Sequence, residues 1–384
     1  MNEAAGQHGF LERLFRLTEK RTTVRTEMLA GLTTFISVAY ILFVNPNILA
    51  DAGIPKEAAI ASTIWVAALT TTMMGVFANY PVALAPGMGL NAFFTYYVVG
   101  TLHLPWQVAL GAVFFSGVLF LVMTLGGLRQ SIIRAVPENL KRSIGVGIGM
   151  FIAFIGLRGT GIIIADKATY VTLGHVMNPT TLLSLFGLLL TGALMARGVR
   201  GAILIGILVV TILGMGLGLA PVPHGIGDVM SFSLPSMGET FGQLDLVGAW
   251  EFGIFSIIFT FTVVELFDNM GTLIGLTTKA KMVKPDGEIE NLDRALTMDA
   301  VGTMVSAVFG TSTVTSYIES ASGIAEGGRT GLTAVTVAGL FLVALLFAPL
   351  IGLVPGFATA PSLVLVGALM MSEVVNVKFS DFSD

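Results

Sequence analysis

The chain has 384 residues, is 54% hydrophobic and only 11% charged, and carries a formal net charge of −4. An ordinary soluble domain is about 25% charged, so a soluble fold is excluded, and no basic excess invites a nucleic-acid partner. The absence of cysteine excludes disulfides and thiolate metal sites.

The first 25 residues hold Glu12, Arg13, Arg16, Glu19, Lys20, Arg21 and Arg25. No apolar run precedes a small-residue cleavage site, so residues 1–25 read as an N-terminal tail and not a secretory signal. Within it Phe10, Leu11, Leu14, Phe15 and Leu17 suit either a short amphipathic helix on the inner membrane surface or a solvated tail. From Ala58 to Leu128, and again from Thr330 to Ser372, there is no Asp, Glu, Lys or Arg. One crossing takes about 20 residues, so each stretch must fold back and forth through the bilayer.

Apolar runs between charged or Pro-containing breaks give twelve spans near 28–48, 58–78, 83–100, 106–128, 143–164, 178–196, 201–220, 249–276, 295–310, 311–326, 330–348 and 353–372. Alternating crossings put one set of basic groups on one side: the N-terminal arginines, Arg129, Arg134, Lys141 and Arg142, Arg197 and Arg200, Lys279, Lys281 and Lys284, then Arg329 and Lys378. The positive-inside rule makes that side the cytoplasm. The expected location is therefore the cell (inner) membrane, multi-pass, with the N-terminus cytoplasmic.

Seven spans precede the polar segment 221–248, so the eighth enters from the side opposite to the first, as an inverted repeat requires. The third element of each half is broken. In the first half it reads Ala85-Pro86-Gly87-Met88-Gly89-Leu90-Asn91, where Pro and Gly cannot continue a helix. In the second half it reads Gly310-Thr311-Ser312-Thr313-Val314-Thr315-Ser316, whose β-branched residues suit a short strand. Interrupted segments at matching places of two halves point to a transport site at the midplane.

Two acids stand in otherwise apolar or weakly polar runs: Asp268 within Ile257–Leu276 and Glu319 within Ala300–Ala325. Each costs roughly 2.5–3.5 kcal/mol at a bilayer centre by insertion scales, which a chain accepts where the group binds something or carries protons. Glu265, Asp268 and Thr272 are spaced to share one helix face; a structural hydrogen bond is the plainer reading of Asp268, and for Glu265 the two readings are about even. Glu251 and Asp299, near span ends, read as interfacial charges. Glu319 follows the strand-like run beside Tyr317, at a half-helix expected to begin near Ser316 with its positive end toward a cavity. Asn91 takes the corresponding place in the first half, as ligand partner or helix cap. The glycines at 145, 147, 149, 156, 159 and 161, and at 206, 214, 216 and 218, read as close helix packing. Arg158 reads as a snorkelling end residue. His8, His103, His175 and His224 fall in the tail or in loops, and no cluster supports a metal.

The stretches Thr26–Phe35 (TEMLAGLTTF), Ala85–Phe94 (APGMGLNAFF), Leu266-Phe267-Asp268 with Gly271-Thr272-Leu273, and Gly310-Thr311-Ser312 through Gly327-Gly328-Arg329-Thr330-Gly331 resemble the azaguanine-permease-like (AzgA-like) purine permeases, a branch of the nucleobase–cation symporter-2 superfamily. The likeness runs from about residue 10 to the C-terminus. It implies an all-α polytopic fold of two inverted sevens (the UraA-like core/gate fold) whose two broken spans carry short strands, with the last two spans absent from this chain. The core would comprise 26–128 and 249–349, and the gate 143–220 and 351–384. It assigns substrate contacts to Asn91, Asp268 and Glu319. It also implies proton-coupled uptake of hypoxanthine, guanine or adenine; uracil-transporting relatives carry a histidine where this chain has Thr272.

A purine edge offers adjacent N–H groups that a carboxylate accepts in bidentate fashion. Glu319 is the expected acceptor, with Asn91 and Tyr317 beside it and Phe93 or Phe94 stacking on the ring. Desolvation favours the protonated form of a buried carboxyl, so Asp268, Glu319 and Glu265 are the expected proton carriers, with no cofactor beyond the proton. Rival readings are an anion exchanger of the same architecture, for which two acids are ill placed, an intramembrane aspartyl hydrolase, and a channel. The sequence leaves a homodimer open.

Overall fold

The computed structural model describes residues 9–127, 137–233, 235–251, 255–284 and 288–377. His8 and the rest of residues 1–8, Arg129, Arg134, and residues 378–384 with Lys378 lie outside the described residues.

In lipid the backbone must satisfy its own hydrogen bonds, so the charge-free runs become helices. After α1 (Phe10–Phe15), the first run forms α2 (Val24–Val38) and α3 (Ile41–Asp51), broken at Ala39 and Tyr40. Next come α4 (Lys56–Met73), extended by a π-helical turn Met74–Ala78, then β1 (Leu84–Pro86) and α5 (Met88–Ala92), which continues as a π-helix Phe93–Thr101. Then follow α6 (Trp106–Leu125), α7 (Glu138–Gly159), β2 (Ile163–Asp166), β3 (Tyr170–Leu173), α8 (Pro179–Ala196), α9 (Ala202–Gly216) and α10 (Ile226–Val229). The second half runs α11 (Leu246–Glu251), α12 (Phe255–Lys279), α13 (Leu292–Phe309), β4 (Val314–Ser316), a 3-10 turn Ile318–Ser320, α14 (Ala321–Ala325), α15 (Gly331–Ala344), α16 (Ala348–Leu353) and α17 (Gly356–Met371). Among the described residues eight helical segments are long and apolar enough to cross a bilayer, and Ala202–Gly216 is a shorter apolar one. Each run read as a span carries a helix, or, in 83–100 and 311–326, a strand leading into one. The antiparallel hairpin of β2 and β3 was not foreseen.

The broken spans meet. β1 and β4 pair antiparallel, Leu84 opposite Ser316, Ala85 opposite Thr315 and Pro86 opposite Val314. The ladder extends evenly at both ends, with Tyr317 N–H donating to Ala83 O at 3.0 Å and Gly87 N–H to Thr313 O at 2.9 Å. An open strand edge cannot stand in hydrocarbon, and a threonine from a neighbouring helix closes each one. Thr71 Oγ1 of α4 donates to Leu84 O (2.8 Å) and accepts from Leu84 N–H (2.9 Å). Thr303 Oγ1 of α13 accepts from Val314 N–H at 3.3 Å. The same device on the first residue of each strand is the local signature of an inverted repeat.

Two groups of helices pack among themselves. α7, α8, α9 and α17 form one; α2, α4, α6, α12, α13 and α15 form the other. Small residues allow the close crossings. A Cβ on Gly31 would meet Thr336 Cβ at 2.6 Å, one on Gly75 the Gly331 carbonyl at 2.6 Å, and one on Gly149 the Gly367 carbonyl at 2.7 Å. The packing reading of the glycines therefore holds for Gly149, Gly156, Gly206 and Gly214, but Gly145, Gly147 and Gly216 have nothing within 4 Å. The motif residue Glu27 is fully buried and caps α15: its carboxylate accepts from the N–H groups of Arg329 (2.9 Å) and Thr330 (3.2 Å) and from Thr333 Oγ1 (2.5 Å). An anion at a helix N-terminus is favourably placed. The tail folds back onto the protein, with Phe15 and Leu17 buried against Leu332 and Lys20 paired with Glu290 at 2.5 Å.

Candidate functional site

Glu319 lies in the 3-10 turn that follows β4, so the acid is delivered from the broken backbone itself. The expected half-helix starts later than Ser316, since Tyr317 is still extended and α14 begins at Ala321. Tyr40, fully buried at the break between α2 and α3, donates its hydroxyl to Glu319 Oε1 at 2.7 Å. The Tyr40 and Tyr317 rings lie 6.5 Å apart, and the Tyr317 hydroxyl donates to Pro86 O at 2.6 Å. α12, which carries Asp268, packs against the 3-10 turn that carries Glu319 and against β4. Both acids are partly exposed, unlike the polar layer behind them. The structure thus brings Asp268, Glu319, Tyr317 and Tyr40 together.

Behind β4 sits a fully buried polar layer. Glu265 accepts from Thr303 Oγ1, Asn269 Oδ1 accepts from Ser316 N–H at 2.8 Å, and Asp299 accepts from Ser316 Oγ at 3.1 Å. Glu265 and Asn269 are four residues apart on α12, as are Asp299 and Thr303 on α13, so two helix faces grip the strand. The stripe of Glu265, Asp268 and Thr272 therefore divides: Glu265 is buried behind the strand, and Asp268 is partly exposed. Asp299 is a correction. It is fully buried and not an interfacial charge, because α13 turns its Asp299–Thr303 face inward to β4.

Asn91 is also fully buried, and its Nδ2 donates to Asn45 Oδ1 at 2.8 Å, while Asn45 Nδ2 donates to Thr63 Oγ1 (2.8 Å) and Thr311 Oγ1 (3.0 Å). Its Oδ1 is buried without a partner, a group that seeks a donor. It is not the helix cap, since that position belongs to Gly87. Nor does it match Glu319 across the repeat: three residues beyond β1 stands Gly89, three beyond β4 stands Glu319. Phe93 is half-buried, stacked on Tyr97 at 5.0 Å and edge-on to Phe261 at 5.2 Å. Phe94 is fully buried within an apolar cluster with Leu90 and Val98, so it packs the core and offers no face to a ligand. Sequence reasoning missed Tyr40, Asn45 and Asn269. For Asn45 the signal was present, an amide in the middle of an apolar span.

Residues 25–384 match the Permease family. The chain belongs to that permease family. The permease is 43% identical to the adenine permease AdeP of Escherichia coli (strain K12) over 382 residues, 100% of this chain and 84% of the relative. It is 41% identical to the guanine/hypoxanthine permease PbuO of Bacillus subtilis (strain 168) over 379 residues, 97% of this chain and 86% of the relative. Among solved structures it resembles the transmembrane domain of a cyanobacterium bicarbonate transporter, BicA, with a TM-score of 0.69 over 92% of this chain and 94% of that one, at 17% identity. That likeness carries the fold alone. The permease is a multi-pass membrane transporter and not an enzyme.

Proposed function

We propose that the permease imports a purine nucleobase, namely hypoxanthine, guanine or adenine, by proton symport with alternating access. The reading rests on one observation, the meeting of Asp268 and Glu319 beside Tyr40 and Tyr317 at paired broken spans. The relatives named adenine and guanine/hypoxanthine permeases support the substrate class.

Glu319, steadied by Tyr40, accepts the N–H edge of the base, and carboxylate hydrogen bonds of this kind are the stronger ones. Asn91 offers its spare oxygen from the first half. A proton on Asp268 neutralises one of two like charges in the site, so proton and base favour each other's binding by the same factor. The core segments 26–128 and 249–349 then move against the gate segments 143–220 and 351–384, exposing the site to either side. The protein sits in the cell membrane with its N-terminus cytoplasmic. An anion exchanger of this architecture is disfavoured by two acids at the binding point.

The test is uptake of radiolabelled hypoxanthine, guanine and adenine in cells lacking their own purine permeases. Saturable uptake is expected for the wild type, with at least a tenfold loss in Asp268→Asn and Glu319→Gln while both variants reach the membrane. Undiminished uptake in both would remove the acids from the mechanism.

A further inference from the structure

Four fully buried polar side chains meet between the first two spans and the two broken ones, and the mechanism above uses only one of them. Asn45 of α3 stands among Thr63 of α4, Thr311 on the approach to β4, and Asn91 of α5. The backbone N–H of Asn91 donates to Gly87 O, and that of Gly87 to Thr313 O. The cluster is therefore anchored on the main chain of both broken spans.

The donors in this cluster run in one direction. Thr63 commits its hydroxyl proton to Ala59 O at 2.6 Å, one turn back along α4, so its Oγ1 meets Asn45 with lone pairs alone. That orients the Asn45 amide. Its Nδ2 donates to Thr63 Oγ1 (2.8 Å) and Thr311 Oγ1 (3.0 Å), which leaves Oδ1 toward Asn91. Asn91 must then turn its own Nδ2 to Asn45, at 2.8 Å. Of the polar side-chain atoms of these four residues, Asn91 Oδ1 alone ends buried without a partner. An unpaired buried acceptor is unfavourable, and this one is kept bare by a chain of three hydrogen bonds behind it.

We propose that Asn45 is a positioning residue for specificity: it holds the Asn91 amide in one orientation and so keeps an acceptor open for the N–H of the five-membered ring of the base. That N–H is the donor that hypoxanthine, guanine and adenine have in common. An Asn91 amide free to turn would offer oxygen or nitrogen alike and would no longer distinguish a ring donor from a ring acceptor. The proposal rests on the purine reading and on Asn91 as a base contact. What it adds is the residue that decides which end of the Asn91 amide is presented.

The experiment takes whichever of radiolabelled adenine, guanine and hypoxanthine the wild type imports. It measures competition by the same base unlabelled and by its thiazolo[5,4-d]pyrimidine analogue, in which sulfur replaces the ring N–H. The ratio of the two inhibition constants does not depend on how much permease reaches the membrane. In the wild type the analogue should bind about tenfold or more weakly, because it leaves the Asn91 oxygen unpaired. Asn45→Leu should narrow that ratio to within about threefold, since the amide can then turn. Asn45→Asp still presents an oxygen to Asn91 Nδ2 and can take the hydroxyl protons of Thr63 and Thr311, so it should keep the wild-type ratio. Thr63→Val removes the acceptor that orients Asn45; it should narrow the ratio too, and it decides the question if Asn45→Leu fails to fold. A purely structural Asn45 would lower the amount of permease in its variants and leave the ratio alone. A wild-type ratio near one overturns the proposal. So does an unchanged ratio in whichever of Asn45→Leu and Thr63→Val reaches the membrane, or a ratio in Asn45→Asp narrowed as far as in Asn45→Leu. Failure of adenine, guanine and hypoxanthine uptake in the wild type would instead strike the purine reading, before any variant is compared.

Discussion

Tyr40 joins the first span to the tenth through a single hydroxyl, and it does so at the acid proposed to accept the base. Removing that hydroxyl leaves Glu319 Oε1 without its protein donor. Hydrogen bonds to charged groups contribute about 1.5–3 kcal/mol, and 1.4 kcal/mol is about a tenfold change in affinity. Tyr40→Phe should therefore raise the KM for purine uptake about tenfold or more, read by radiolabelled uptake at matched surface expression. An unchanged KM would remove Tyr40 from the binding site. Asp268 and Glu319 were legible in the sequence because hydrocarbon penalises an acid and leaves it conspicuous. Tyr40 was not, since a tyrosine in a span is unremarkable until a chain break aims it. Asp299 was misread for the opposite reason: its place near a span end hid the inward turn of its helix face.

At the scale of elements, the broken spans could be read from Pro-Gly density in one half and β-branched residues in the other. The pairing register could not, because it joins strands from opposite halves of the chain, Leu84 opposite Ser316 and Pro86 opposite Val314. That register in turn displaced Asn91 from the role of counterpart to Glu319. Helix packing yields a sharper contrast. Gly331 faces the Gly75 backbone directly, while Gly339 on the same helix has nothing within 4 Å. Overpacking costs about 1–3 kcal/mol, so Gly331→Ala should lower the melting temperature of the purified protein. Gly339→Ala should hold it or raise it, by up to about 1 kcal/mol of helix propensity. Equal melting shifts would contradict the packing described. The hairpin of β2 and β3 escaped sequence reading because its strands are only four residues each, shorter than any periodicity can resolve.

For the whole molecule, charge-free length alone dictated a polytopic fold, and the apolar runs placed the helices. The grouping of helices was not visible in composition; it shows in which glycines meet which backbones, Gly149 against Gly367 in one group and Gly31 against Thr333 in the other. An ion pair joins the groups, Arg200 between α8 and α9 with Glu326 between α14 and α15, and pairs this exposed contribute about 0–1 kcal/mol, little hindrance to relative motion. The account's central claim is that Asp268 and Glu319 jointly couple a proton to a purine. Its most direct test is the pH inside liposomes containing the purified permease when adenine, guanine or hypoxanthine is added outside. Acidification of the lumen should accompany uptake in the wild type and vanish in both Asp268→Asn and Glu319→Gln; purine accumulation with no proton movement, or proton movement that survives both substitutions, would contradict it.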